Sequence, residues 1–418
     1  MEEMKQTGVQ WIGEIPSTWN TKRIKYMATL KGRIGWQGLT SEEYQDEGAY
    51  LITGVDFANG GIDWDNCVHV PMKRWEEATD IQIEEGDLLI TKDGTIGKVA
   101  IVTNMPGETS LNSGVLRIIP IEGYSRRFLY WVLKSDEFWN WFNYKNAGNS
   151  TIVHLYQGDF VEFLYAFPDF AEQEAIADYL DTRCNKLDKI ISAIQRQIDL
   201  LKQSKTSLII EGVTKGIQHN PNLRKVSLDF AKEINSEWRI TRIKYFCRMY
   251  SGDNLTAEDI DPDGDYPVYG GNGFRGYFSN YNIDGEYVLV GRQGAQCGNV
   301  HLVNGKFWAT DHAVVTYPFV EAIDNRFMSY LFIAMNFNQY SQTAAQPGLA
   351  VSTIQNLKTC IPPNKAVQEE IATFLDKKCH AIDDVIAQKS MQLNCIEDYK
   401  KSLIFEYVTG KKRVKEVR

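Results

Sequence analysis

The chain has 418 residues, 43% hydrophobic and 12% aromatic, with a net charge of −9 from 45 Lys and Arg against 54 Asp and Glu. This composition fits an ordered protein of two or three domains with ample core and excludes a low-complexity chain. No apolar run approaches the roughly 18 residues of a membrane span. The acidic start is no signal peptide, and seven cysteines without a Cys-x-x-Cys pair suit a reducing cytoplasm rather than a disulfide framework.

The first globular stretch enters through Trp11 and reads as short strands over 50–53, 87–91, 99–102 and 115–119. Turn signals separate them: Asn59-Gly60-Gly61, Asp93-Gly94 and Pro106-Gly107. One aromatic helix is predicted over 126–144, with Phe128, Trp131, Val132, Phe138, Trp139 and Phe142 at core spacing. Pro168 precedes a long helix, and Glu172 and Glu174 suit its positive end. A second globular stretch has strands over 287–290, 300–303 and 313–316 and a helix over 321–336, and Pro363 precedes a second long helix. The segmentation predicted is 1–170 globular, 171–216 helix, 217–363 globular, 364–412 helix and 413–418 a basic tail.

The chain repeats itself. Residues 173–214 and 368–409 align without a gap, and 17 of the 42 positions are identical. Both copies carry an apolar seven-residue period. Its seam runs through Leu180, Cys184, Leu187, Ile191, Ile194, Ile198, Leu201 and Leu208 in the first. In the second it runs through Leu375, Cys379, Ile382, Ile386, Leu393, Ile396 and Leu403. Such a seam predicts a coiled coil, with the two copies packed on each other and antiparallel. The openings repeat as well: Ile15-Pro16-Ser17-Thr18-Trp19 before Arg23-Ile24-Lys25-Tyr26, and Ile234-Asn235-Ser236-Glu237-Trp238 before Arg242-Ile243-Lys244-Tyr245. The fold class predicted is α+β: two mixed α/β units joined by two long antiparallel coiled-coil helices in a pseudo-two-fold internal repeat. The globular parts diverge more than the helices, which suits two readers of different targets and not a structural tandem.

Enzymatic motifs are missing. The six histidines are scattered without metal-ligand spacing. Gly94-Thr95-Ile96-Gly97-Lys98 lacks the spacing of a phosphate loop and reads as a turn. Gly271-Asn272-Gly273-Phe274-Arg275-Gly276 satisfies Gly-x-Gly-x-x-Gly, but no helix pattern follows it. Neither an adenine-methyltransferase motif nor a nuclease site stands out, which favours a recognition or scaffold subunit without catalysis of its own.

The paired openings, the Gly94–Gly97 turn, the stretch Tyr266-Pro267-Val268-Tyr269-Gly270-Gly271-Asn272-Gly273 and above all the doubled Gln-Glu-x-Ile-Ala-x-x-Leu-Asp helix start carry a family resemblance. The chain resembles the specificity subunit of type I restriction–modification enzymes, over nearly its whole length. Asn235 departs from the proline that the second opening would have. The resemblance implies a non-catalytic DNA-recognition subunit whose two target-recognition domains each read half of a bipartite site on double-stranded DNA. It implies that the helices set the spacing and dock two methyltransferase subunits, joined by restriction (translocase-nuclease) subunits. S-adenosylmethionine, ATP and Mg2+ would then sit on those partners, with no cofactor on this chain. An adaptor or oligomerisation coiled coil with protein-binding heads is the alternative.

Base reading needs forked donors or amides carried on loops that approach the groove. In the first unit the candidates are Lys31, Arg33, Thr91, Lys92, Lys98, Asn112 and Ser150. In the second they are Ser251, Asn272, Arg275, Arg292, Gln293, Gln296, Thr310 and His312. The acidic balance is awkward for a DNA reader and points to segregated charge or a basic surface supplied by a partner.

Overall fold

The computed structural model describes residues 3–33, 38–147, 154–294, 297–319, 322–341 and 348–414. They form two compact units, 1–193 with 392–418, and 194–391. Each unit therefore takes one globular stretch and part of each long helix.

The two units share one framework. In the first, a four-stranded sheet has the order Val99–Ile101, Leu88–Thr91, Val115–Pro120, Ala28–Gly32. In the second, the corresponding order is Val300–Val303, Tyr287–Gly291, Ala313–Pro318, Cys247–Ser251. Period-two alternation divides the faces of each sheet. Leu88, Ile90, Leu116 and Ile118 pack toward the helices, whereas Leu89, Ala100 and Val115 pack with Ile52 and Leu111 of a smaller sheet. In the second unit Val288, Val290 and Val314 face one way, and Leu289, Ala313 and Val315 the other. Being apolar on both faces, these strands read as continuous hydrophobic runs. Each smaller sheet contains one parallel pair, Thr109–Leu111 with Ala49–Ile52 and Lys306–Ala309 with Tyr266–Gly270.

The single aromatic helix predicted over 126–144 is two helices, Arg126–Lys134 and Asp136–Lys145. Ser135 separates them: its backbone is extended and its hydroxyl accepts from Glu137 N, starting the second helix afresh. The second unit has Asn325–Met335, ended by Asn336 in the left-handed conformation (φ 44°).

The long helices are Phe170–Lys215 and Lys365–Val408. Asp169 Oδ1 accepts from Glu172 N at 2.9 Å, and Asn364 Oδ1 from Val367 N at 3.0 Å, so both starts are capped. In the first unit Ala177, Leu180 and Cys184, with Leu187 beside them, bury against Leu403, Ile404, Tyr407 and Val408. In the second, Ile209 and Val213, with Leu208, bury against Ile371, Ala372, Leu375 and Cys379. The start of one helix thus meets the end of the other in each unit, and the paired segments run antiparallel. Along the seam Ile194 and Ile198 are buried, while Ile191, Leu201, Ile382, Ile386, Leu393 and Ile396 are half-buried among exposed neighbours. Two seam positions hold lysines that reach acids on the opposite helix, Lys205 to Asp383 at 2.6 Å and Lys400 to Asp188.

The repeated openings clamp helix ends. Trp238 Nε1 donates to Val213 O at 2.8 Å, and its ring lies on Gly216, whose φ of 83° ends the helix. In the first unit Pro16 and Trp19 lie on Gly410 (φ 71°) at the end of the second long helix. Asn235 is a working replacement for proline: Nδ2 donates to Lys215 O at 3.2 Å and Oδ1 accepts from Glu237 N at 3.0 Å.

Candidate DNA interface

The doubled Gln-Glu-x-Ile-Ala-x-x-Leu-Asp motif attaches the globular part of each unit to its long helix. Gln173 is buried; its Oε1 accepts from Ser125 N at 2.8 Å and its Nε2 donates to Pro168 O at 3.0 Å. Gln368 does the same with Asp324 N at 2.9 Å and Ala322 O at 3.3 Å. Ser125 and Asp324 are the N-caps of the aromatic helices. Directly after Leu180 and Leu375, the motif ends in acids that receive that helix: Asp181 takes Arg127 and Trp131 Nε1, and Asp376 takes Arg326 and Tyr330 Oη. These motif residues are therefore structural, and they fasten the aromatic helix of each unit to its long helix.

What those sheets hold out is a set of loop tips. In the first unit three converge. Asn112 N donates to Ile52 O at 2.9 Å, Lys92 N to Gly114 O at 2.8 Å, and Lys98 Nζ and Thr95 Oγ1 to Gly54 O at 3.3 and 3.2 Å. In the second unit Thr310 N donates to Tyr269 O and Arg292 N to His312 O, both at 2.9 Å. Gly271 must be glycine for this approach, since a Cβ there would sit 2.9 Å from Gln293 O. It begins the two-residue turn Gly271-Asn272 that joins strand Tyr266–Gly270 to Gly273–Phe278.

The sequence candidates divide accordingly. Lys92, Lys98 and Asn112 meet at the first edge, and Ser251, Asn272, Arg292, Gln293 and His312 at the second. Asn272 and Gln293 are exposed, Arg292 and His312 half-buried. Arg292 Nη1 donates to Ser251 Oγ at 3.1 Å, and Asn299 Nδ2 to Asn272 Oδ1 at 3.3 Å. Asn112 uses its amide within the loop, giving a proton to Tyr44 Oη and accepting from Gly114 N. Arg275 is exposed on the hairpin, its stem over Gly270.

Three candidates are spent on structure. Arg33 is buried, donating Nε to Leu111 O at 2.7 Å and Nη2 to Ser110 Oγ at 2.9 Å. Burial, with Arg74 nearby, pushes its pKa down to about 10. Thr91 is buried and its Oγ1 accepts from Lys98 N at 2.9 Å, and Thr310 is buried beneath the second edge. All three lie at strand ends with their side chains turned inward, and Thr310 Oγ1 finds no partner among the described residues. Lys31 pairs with Asp80 at 2.9 Å. Ser150 and Gln296 lie outside the described residues.

Sequence reasoning missed Val55, Asp93 and His154. His154 Nδ1 lies 2.6 Å from Asp93 Oδ1, and Leu155 N donates to Lys92 O, so this segment buttresses the first edge. The signal available was the step from one unit to the other: Asp93 stands where the second unit has Gln293. Among the described residues no group of three or more His, Cys, Asp or Glu is placed to hold a metal ion, and no helix is long and apolar enough to cross a membrane.

The fold therefore comprises two units of one framework, each presenting a polar loop edge. The chain belongs to the family of the type I restriction modification DNA specificity domain, whose model matches residues 16–200 and again 235–394. It is 34% identical over 186 residues to the type I restriction enzyme EcoprrI specificity subunit of Escherichia coli, covering 44% of this chain and 46% of that one. It is 25% identical over 430 residues to a putative type I restriction enzyme MjaX specificity subunit of Methanocaldococcus jannaschii, covering 97% and 96%. A chain in a solved structure of the type I R-M system shares the fold, with a TM-score of 0.68 at 13% identity over 95% of this chain and 99% of that one.

Proposed function

We propose that this chain is the DNA sequence-recognition subunit of a type I restriction–modification complex, in which each unit reads one half of a bipartite site. One observation carries the reading: the same backbone edge occurs in both units with different side chains upon it. Lys92 and Asp93 stand at one edge where Arg292 and Gln293 stand at the other. Arg and Gln are the side chains that fork onto guanine and adenine in the major groove. The long helices set the spacing between half-sites and dock two methyltransferase subunits, with restriction subunits joining them in the cytoplasm. S-adenosylmethionine, ATP and Mg2+ belong to those partners, which also supply basic surface that a chain of net charge −9 lacks.

The test is methylome sequencing of cells with and without the gene. One bipartite motif should disappear with it. Loss of no methylated motif, in cells where the methyltransferase subunit is active, would sink the proposal.

A further inference from the structure

Val55 is the most exposed large apolar side chain among the described residues, at 72%. It stands at the tip of the turn 53–56, on the first reading edge. The turn is built to hold it there. The Asp56 carboxylate, 1% exposed, accepts from Thr53 N at 2.7 Å, Thr53 Oγ1 at 2.9 Å and Asn66 Nδ2 at 3.1 Å. Burial pushes that carboxyl above its ordinary range. From the other side Thr95 Oγ1 and Lys98 Nζ fasten Gly54 O. A buried acid and two neighbouring loops thus hold out an isopropyl group that stays largely exposed.

A pre-organised apolar tip in a polar edge calls for an apolar group of its own size on the surface it meets. Lys92 and Lys98 beside it suit a phosphate-bearing surface. In the major groove the four bases present donors and acceptors, and a single apolar group, the C5-methyl of thymine. We propose that Val55 reads a thymine methyl in the half-site contacted by the first unit, an inference that rests on the DNA-reading function above. The second unit has Asn272 at the corresponding tip, whose amide suits the N6/N7 edge of adenine, so methyl reading belongs to one half-site only.

The experiment uses the full chain assembled with its modification subunits and duplexes carrying the methylated site. Each thymine is replaced singly by deoxyuridine, which keeps base pairing and removes the methyl. At one position affinity should fall about 3- to 10-fold, the scale of one buried methyl. In Val55→Ala the native duplex should bind weaker by a similar factor, and the same replacement should then change nothing. If no thymine replacement matters, or if the sensitivity survives intact in V55A, Val55 is not a reader. A complex that methylates no bipartite site at all would instead overturn the DNA-reading function, and the two failures are separable because methylation of the native duplex is measured first.

Discussion

At the edge of the first unit stand Val55, Lys92, Asp93 and Ser113; at the edge of the second stand Asn272, Arg292, Gln293 and Asp311. The tips beneath them are held alike. Lys92 N to Gly114 O matches Arg292 N to His312 O, Asn112 N to Ile52 O matches Thr310 N to Tyr269 O, and Val115 N to Asn112 O matches Ala313 N to Thr310 O. Every one of these is a main-chain bond, indifferent to the side chain. At the helix attachment the reverse holds: the bonds come from Gln173 and Gln368 and from Asp181 and Asp376, and there the two copies agree. A surface supported by backbone can change its chemistry without losing its shape, whereas a joint made by side chains cannot.

The largest expected effect breaks the likeness of the two units below their edges. Glu137 is fully buried in the first unit; Oε1 accepts from Ala166 N, and Oε2 finds no partner among the described residues. Burial pushes its carboxyl up to about 8. The folded chain therefore holds a proton that the unfolded chain releases above its ordinary value near 4.5. Stability should fall as pH rises from there to about 8, then level off, for a total on the order of 5 kcal/mol. Glu137→Gln should flatten the profile and be the more stable protein at pH 8, read from urea midpoints across pH 5–9. A profile unchanged by the substitution would assign the slope to other groups.

Next come the joints. Gln173→Ala strands a buried N–H and a buried carbonyl and Gln368→Ala a half-buried pair, and each should cost about 2–3 kcal/mol. The comparison predicts similar losses for the two, measured by denaturation. A large loss in one and none in the other would show that the repeated motif works in one unit only.

These joints also show how much the sequence disclosed. The seam, the long helices and the doubled motif were legible because a seven-residue period and an ungapped repeat survive in the letters themselves. The break at Ser135 was not, because the aromatics on either side keep helical spacing across it and only the cap geometry ends the helix. At the edges, residue type alone picked out Lys92, Arg292 and Gln293 as reading candidates, and the fold places them at loop tips. It could not distinguish them from Arg33, Thr91 and Thr310, whose identical chemistry is turned inward by strand ends that pair across long stretches of sequence. Val55 was passed over for the opposite reason, since a valine beside strand residues reads as core.

At the edges the effects should be smaller and confined. Lys92→Ala should relax one half-site and Arg292→Ala the other, each by about 1–3 kcal/mol if the contact is to a base. Methylome sequencing of each variant decides the matter: motifs altered in only one half sharpen the comparison, and a uniform loss in both would mean phosphate contact.

The smallest effect is expected at Lys31, two residues before Arg33. Its ammonium pairs with Asp80 at 2.9 Å, and both groups are well exposed, 38% and 70%. Exposed pairs of this kind contribute roughly 0–1 kcal/mol, so Lys31→Ala should hardly move the urea midpoint. Its charge is already answered within the protein, so site affinity should also stay within about twofold. A phosphate contact would behave differently: binding would weaken evenly across sequences, and the dependence of log K on log salt would lose a slope of about one. Asp80→Asn supplies the complementary measurement, because it releases the ammonium from its partner. If Lys31 stands within reach of the duplex, that variant should bind DNA more tightly and with a steeper salt dependence, and K31A would cancel the gain. Equal salt slopes for the native chain and both variants would place Lys31 off the edge and leave the first unit with Lys92 and Lys98 as its facing cations.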